Sequence, residues 1–157
     1  MGSRNSRRTR IVLDTNLLVS GLILPRGLPH RLLAEWRQGG FRLLVTDTIL
    51  AEYAAVLARR QFAEKYGLTV AVVAALRRRM RVQGERVTPQ GTIPVAIRDA
   101  KDVHLLAAAL GGNADYLVTG DADLLVLAGD PLLGPLRIVT ARAFLDDLPR
   151  WGREDDA

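Results

Sequence analysis

The run Arg10-Ile11-Val12-Leu13 breaks off into Asp14-Thr15-Asn16, and Leu17, Leu18 and Leu22 then return at helical spacing. A short aliphatic and β-branched run that ends in polar residues and restarts with a helical period reads as a buried strand feeding a helix. The same unit recurs along the chain. Residues 41–45 precede a helix over 49–60, with Thr46-Asp47-Thr48 as N-cap candidates; residues 116–119 precede a short helix through Leu127; and residues 137–140 precede a helix over 141–148. Strands alternating with helices call for a parallel sheet covered on both faces. Asp14 then stands at the carboxyl end of a strand, which is the edge where open parallel sheets bind their ligands.

Other segments fill in the crossovers. The first helix is expected to stop near Ile23, before Pro25 and Gly27, and a second covers 28–37, with Leu32, Leu33 and Trp36 on one face and Gly39-Gly40 beyond it. Between 61 and 81 the spacing predicts a helical excursion in which Leu68, Val72, Leu76 and Met80 repeat every four residues, while Arg77, Arg78, Arg79 and Arg81 crowd its end. Residues 85–87 read as a short strand. Arg98-Asp99-Ala100-Lys101-Asp102 opens a helix whose apolar face is Val103, Leu106, Ala107 and Leu110, closed by Gly111-Gly112. These elements make one domain over 10–148, followed by a polar tail, 149–157. Residues 1–9 carry arginines without an apolar h-region, which argues against a secretory signal; they are expected to be a disordered basic arm or an expression remnant.

Composition narrows the chemistry. With no cysteine, disulfides and thiolate metal sites are excluded, and a reducing cytoplasm is the expected location. No apolar run approaches the roughly 18 residues of a membrane span, so no membrane partner is expected. The net charge of +5 is carried almost wholly by arginine, a residue suited to phosphate contact. A basic surface of this kind suits a polyanion, although arginine-rich composition also arises without one.

Three further acids join Asp14 at strand-to-helix junctions or in the first turns that follow: Glu52, Asp102 and Asp121. Aspartates at such places also serve as helix N-caps, and Asp14, Asp47, Asp99 and Asp121 each fit that simpler role. Glu52 does not, because it lies a turn inside its helix, with its side chain leaning back toward the sheet edge. Asp99 can cap while Asp102 projects from the turn beside it, and Asp121 and Asp123 flank Ala122, where capping alone does not account for both. Oxygen ligands without cysteine or a well-placed histidine suit Mg²⁺ or Mn²⁺ rather than zinc. His30 and His104 are expected on helix surfaces, away from the junction acids.

Taken together, Asp14-Thr15-Asn16, Glu52, Asp102 within RDAKDVHLLAAAL, and Asp121 and Asp123 within DYLVTGDADLL resemble the PIN-domain nucleases in order and spacing, especially the VapC-like toxins of bacterial toxin–antitoxin pairs. The similarity spans nearly all of 10–148. It implies a three-layer α/β/α fold whose parallel sheet of about five strands has the order 3-2-1-4-5. It also implies Mg²⁺- or Mn²⁺-dependent cleavage of single-stranded RNA, and the expected nucleic-acid partner is single-stranded or structured RNA. By position, Asp14, Glu52, Asp102 and Asp121 take the catalytic and metal-binding roles. Asp99 and Asp123 are accessory acids, and Asn16 and Thr119 match polar positions that orient carboxylates or the attacking water. A cognate antitoxin and a homodimer or higher homo-oligomer are the expected protein partners.

Two other folds place an aspartate after the first strand. A haloacid-dehalogenase phosphatase needs a second aspartate two residues later, where this chain has Asn16, and a receiver domain needs a lysine that residues 137–141 lack. A catalytically weak PIN module acting as an RNA-binding or regulatory partner is the alternative from another class. For Arg77, Arg78, Arg79 and Arg81, contact with RNA backbone and a solvated helix end are both open.

Overall fold

The computed structural model describes residues 8–59, 64, 65, 67 and 69–156, with side chains through Leu148. Of the expected basic arm over 1–9, only Arg8 and Thr9 fall among them; Arg60, Gln61 and Leu68, assigned above to helical segments, lie outside them. The chain begins with β1 (Arg10–Leu13), α1 (Thr15–Ile23), α2 (Leu28–Arg37), β2 (Arg42–Val45) and α3 (Asp47–Leu57). It continues through α4 (Val70–Gln83), β3 (Glu85–Arg86), a 3₁₀ turn (Ala100–Asp102) that runs into α5 (Val103–Gly111), and β4 (Tyr116–Val118). After α6 (Ala122–Leu125) and a second 3₁₀ turn (Pro131–Leu133) come β5 (Arg137–Val139) and α7 (Ala141–Asp156). The five strands form one parallel sheet in the order β3-β2-β1-β4-β5, flanked by helices.

Register in this sheet brings the carboxyl ends of the central strands level. Leu13 lies opposite Val118, and Val118 opposite Val139. The ladder continues one step further, with Asp14 N–H donating to Val118 O at 3.0 Å and Thr119 N–H to Val139 O at 2.9 Å. Residues 14 and 119 thus leave the sheet side by side. At the opposite end, Arg10 spans the Gly112 carbonyl and both carboxylate oxygens of Glu85, at 2.6 and 3.0 Å, and Arg42 adds a third contact to Glu85. These guanidinium groups hold the Glu85 carboxyl below its ordinary range.

The core is the filling between sheet and helices. Ile11, Val12, Leu13, Leu43, Leu44 and Leu117 are buried on the strands, and Leu32, Leu33 and Trp36 of α2 are buried as their spacing predicts. Phe144 of α7 meets Phe41 and Tyr116 edge-on, at 5.5 and 5.3 Å between ring centroids. Gly21 lets α1 and α2 close up, since a Cβ there would stand 2.5 Å from the Pro29 carbonyl oxygen.

Local capping moves several boundaries. The Thr46 hydroxyl accepts from Ile49 N–H, so α3 begins at Asp47 rather than at 49, and it ends at Leu57. Thr140, assigned above to the last strand, caps α7 by accepting from Ala143 N–H. That helix runs to Asp156, through the segment read as a tail; Pro149 removes one backbone hydrogen bond without ending it. On α4 the inward stripe is Val73, Leu76 and Met80, whereas Val72 is 41% exposed. A strict four-residue repeat overshoots the 3.6-residue turn, so the buried face drifts off it. On α5, Val103 is exposed and Leu105, Leu106, Ala108 and Ala109 are buried, because this helix is enclosed on more than one side.

Candidate metal centre

Asp14 is the first residue beyond β1, and it caps α1 through Oδ1, which accepts from Asn16 N–H at 3.2 Å. Its Oδ2 accepts a 2.6 Å hydrogen bond from the fully buried Thr119 hydroxyl. The Thr119 oxygen in turn accepts from Asp121 N–H at 3.0 Å, and Asp121 Oδ1 accepts from Asp123 N–H at 2.8 Å. One chain of hydrogen bonds therefore sets the orientation of residues 14, 119, 121 and 123. Thr119 stands between Asp14 and Asp121 in this line. Asn16 takes part through its backbone N–H, while its side chain is exposed.

The 3₁₀ turn before α5 supplies the remaining acids. Asp99 caps it, Oδ1 accepting from Lys101 N–H, and Asp102 sits inside it, only 7% exposed. Carboxylate oxygens of Asp99, Asp102 and Asp123 all lie within 4.8 Å of one another. The tightest grouping among the described residues thus contains Asp102 with the two acids read from sequence as accessory. Asp121 and Asp14 border this group. Burial, the adjacent Asp121 carboxylate, which hydrogen-bonds the protonated form, and the charges of Asp14 and Asp99 push Asp102 up to about 7. A carboxyl raised by burial and by the acids around it marks a place where negative charge is concentrated.

Glu52 stands on α3 toward the same edge but is held differently. His104 Nε2 lies 2.6 Å from Glu52 Oε2, a close approach that lacks the alignment of a hydrogen bond. This corrects the expectation that His104 would sit away from the acids: the 3₁₀ turn rotates the start of α5 so that residue 104 faces α3. The adjacent Tyr53, not singled out from sequence, is buried and donates to the Leu13 carbonyl at 2.9 Å. Burial, then the charges of Asp14 and Glu52, raise its phenol far above the ordinary range, so it remains a donor. Its place next to Glu52 was the available sequence signal, but an aromatic residue one position along a helix reads as core.

A cation fits this edge on the chemistry of its donors. Buried polar atoms normally find partners, yet Thr15 Oγ1, Glu52 Oε2, Asp102 Oδ2 and His104 Nδ1 are buried without a hydrogen-bond partner. All four belong to residues that follow β1, face it from α3, or open α5. Asp99, Asp102 and Asp123 would hold a hard divalent ion, with Asp14 and Asp121 beside Asp102 and Glu52 held apart against His104.

Residues 10–123 match the PIN domain family, from the first residue of β1 through the last acid of the cluster. The chain belongs to the PIN-domain family. No curated protein matches the chain. PIN domains are generally nucleases, hydrolases that use divalent metals, and the matched segment contains every acid described above. The parallel sheet of order 3-2-1-4-5 is the PIN-like arrangement. Among the described residues, no helix is long and apolar enough to cross a membrane.

Proposed function

We propose that this PIN-domain protein is an Mg²⁺- or Mn²⁺-dependent endoribonuclease that cleaves single-stranded RNA and acts as the toxin of a VapC-like toxin–antitoxin pair. The observation that carries the nuclease reading is the group Asp99, Asp102 and Asp123, within 4.8 Å, beside the hydrogen-bonded line from Asp14 through Thr119 to Asp121. A divalent ion at such a group supplies an activated water and neutralises charge on the phosphoryl group under attack. The protein's own contribution is to fix the carboxylates in advance, so that no reorganisation is needed as charge develops. Thr119 and the backbone N–H groups of Asn16, Lys101, Asp121 and Asp123 do this. Glu52, held beside His104 on α3, is read as a further acid of the reaction, a role that its likeness in position to the PIN-domain nucleases supports.

RNA as substrate is supported by the arginine-borne net charge of +5 around a site that is itself acidic, and by the likeness to VapC-like toxins. The toxin role and a cognate antitoxin rest on that likeness alone, as does a homodimer or higher homo-oligomer. The deciding experiment incubates purified protein with end-labelled single-stranded RNA in Mn²⁺, in Mg²⁺ and in EDTA. Internal cleavage that depends on the metal and is lost in Asp102→Asn supports the nuclease reading. Equal cleavage in EDTA overturns it, and RNA binding without cleavage in either metal favours a non-catalytic RNA-binding module. Growth arrest on expression, relieved by a co-expressed neighbouring gene, tests the toxin assignment separately.

A further inference from the structure

Two depressions on the surface away from the acids share a wall. One, about 630 Å³, runs along the outer side of α4 over Ala71, Ala74 and Ala75 and is flanked by Arg78 and Arg79. The other, about 350 Å³, lies where α2 and β2 meet and is flanked by Arg8, Arg37 and Arg42. Val82 and Gln83 line both, so the two adjoin at the end of α4. We propose that these five arginines form one track that holds the phosphate backbone of single-stranded RNA outside the cleavage centre. The inference rests on the RNA-nuclease reading and extends it by naming where the rest of the substrate lies.

Charge and shape favour a polyphosphate chain here. Neither depression is lined by an acid among the described residues. Arg8, Arg37, Arg78 and Arg79 are exposed and make no ion pair among the described residues; Arg42 shares Glu85 with Arg10 but keeps 43% of its side chain exposed. Guanidinium groups match phosphate oxygens two at a time, and a row of them in which, among the described residues, only Arg42 is paired with a carboxylate suits a backbone-tracking surface. Trp36 and Phe41, the aromatic residues of the second depression, are 4% and 1% exposed, so neither offers a face on which a base could stack. Contact is therefore with backbone, and sequence preference from this surface is expected to be weak.

The arginine run read from sequence is divided by the helix. Residues one apart on α4 point about 100° away from each other; Arg78 and Arg79 flank the outer groove, while Arg77 covers an apolar contact among Leu50, Tyr53 and Met80. Arg8, Arg37 and Arg42 come from separate parts of the chain and could not be grouped by spacing. Arg42 lies opposite Arg10, four residues before Asp14 on the neighbouring strand, which separates it from the acids by roughly 13 Å at strand rise.

The test measures binding of a fluorescein-labelled single-stranded RNA 20-mer by anisotropy in EDTA, across a salt series. Arg37→Ala/Arg78→Ala is compared with wild type and with Arg26→Ala/Arg142→Ala, a control pair of exposed arginines outside both depressions. Each lost phosphate contact on a single strand reduces the log–log salt slope by about 0.7. The track variant is expected to lose about 1.4 from the slope and the control nothing. Equal changes in both pairs would mean a net-charge effect only, and no change in the track variant removes the track; either result overturns the proposal. So does binding of poly-glutamate through Arg37 and Arg78 by a protein that does not bind the RNA. Cleavage of the same 20-mer in Mn²⁺ separates the two readings: wild type that binds with the full slope but never cuts fails as a nuclease and keeps the track. Wild type that cuts, with a track variant of unchanged slope, fails only here.

Discussion

The Thr119 hydroxyl donates to Asp14 Oδ2 across 2.6 Å in a fully buried position, while its oxygen receives the Asp121 N–H. Two strands thus deliver their terminal acids in fixed orientation, and the residue between them is not itself acidic. Thr119→Val keeps the shape and removes both interactions. It should cost about 1–3 kcal/mol, the penalty for leaving a buried carboxylate and N–H without this partner, and lower the melting temperature by several degrees. Metal affinity should fall with it, and calorimetric titration of Mn²⁺ into both proteins checks this. Unchanged affinity would show that Thr119 only supports the fold.

Asp14→Asn should abolish cleavage while leaving the metal-free protein within about 1 kcal/mol of wild type. Asparagine caps a helix as well as aspartate does and removes one charge from the crowded edge, but its amide cannot accept the Thr119 hydroxyl if the cap oxygen stays on Asn16. Mg²⁺ should raise the wild-type melting temperature by binding the folded form, and this gain should shrink in the variant. Melting curves in EDTA and in millimolar Mg²⁺ decide it. A large loss in EDTA with equal metal shifts would make Asp14 a structural cap alone.

Metal-free stability should fall as pH rises from 5 to 8. The Asp102 carboxyl is raised to about 7 in the fold, above its unfolded value, so the folded state holds the extra proton. Stability from that proton is complete below the unfolded pKa and is lost as pH climbs through 7. Glu85 is shifted the opposite way and titrates below this window. Asp102→Asn should flatten the profile. Chemical denaturation in EDTA at pH 5, 6, 7 and 8 tests the slope, and a profile that rises, or that is unaltered in the variant, would falsify the assignment.

Tyr53→Phe leaves the Leu13 carbonyl, one residue before Asp14, without its 2.9 Å donor. The cost should be about 1–3 kcal/mol, or a fall of roughly 2–10 °C for a chain of this size. If Tyr53 also steadies the acids on either side of it, cleavage by the variant should drop at temperatures where the protein is still fully folded. Activity and circular dichroism at 20 °C separate the two effects.

If the cleavage reaction follows in-line attack by water, its products should end in 5′-phosphate and 3′-hydroxyl groups. Ligation and phosphatase treatment of the fragments identify the ends. Cyclic 2′,3′-phosphates would assign the attack to the ribose hydroxyl and remove the need for the acidic group.

Much of the fold was readable because its signals are local. Ile11-Val12-Leu13 running into Asp14, and Tyr116 to Val118 running into Thr119, state a strand and its end in half a dozen residues, and alternation with helices leaves a parallel sheet as the outcome. The position of Asp14 just beyond β1 was readable for the same reason, as was the capping role of Asp99. Boundaries at Thr46 and Thr140 were less so, since a threonine that caps the next helix also looks like the last residue of a strand.

By itself, the sequence determined which residues end strands, and hence that Asp14, Asp121 and Asp123 leave the sheet along one edge. Only the tertiary structure decided how they group. Sheet register placed Asp14 against Thr119, the 3₁₀ turn set Asp99 and Asp102 next to Asp123, and the packing of α5 on α3 turned His104 onto Glu52. The same holds for Arg8, Arg37 and Arg42, which are distant in the chain and adjacent in space. Periodicity tells which way a residue faces on its own element. Which residue of another element it meets depends on register and crossing, and these are settled only when the whole core packs at once.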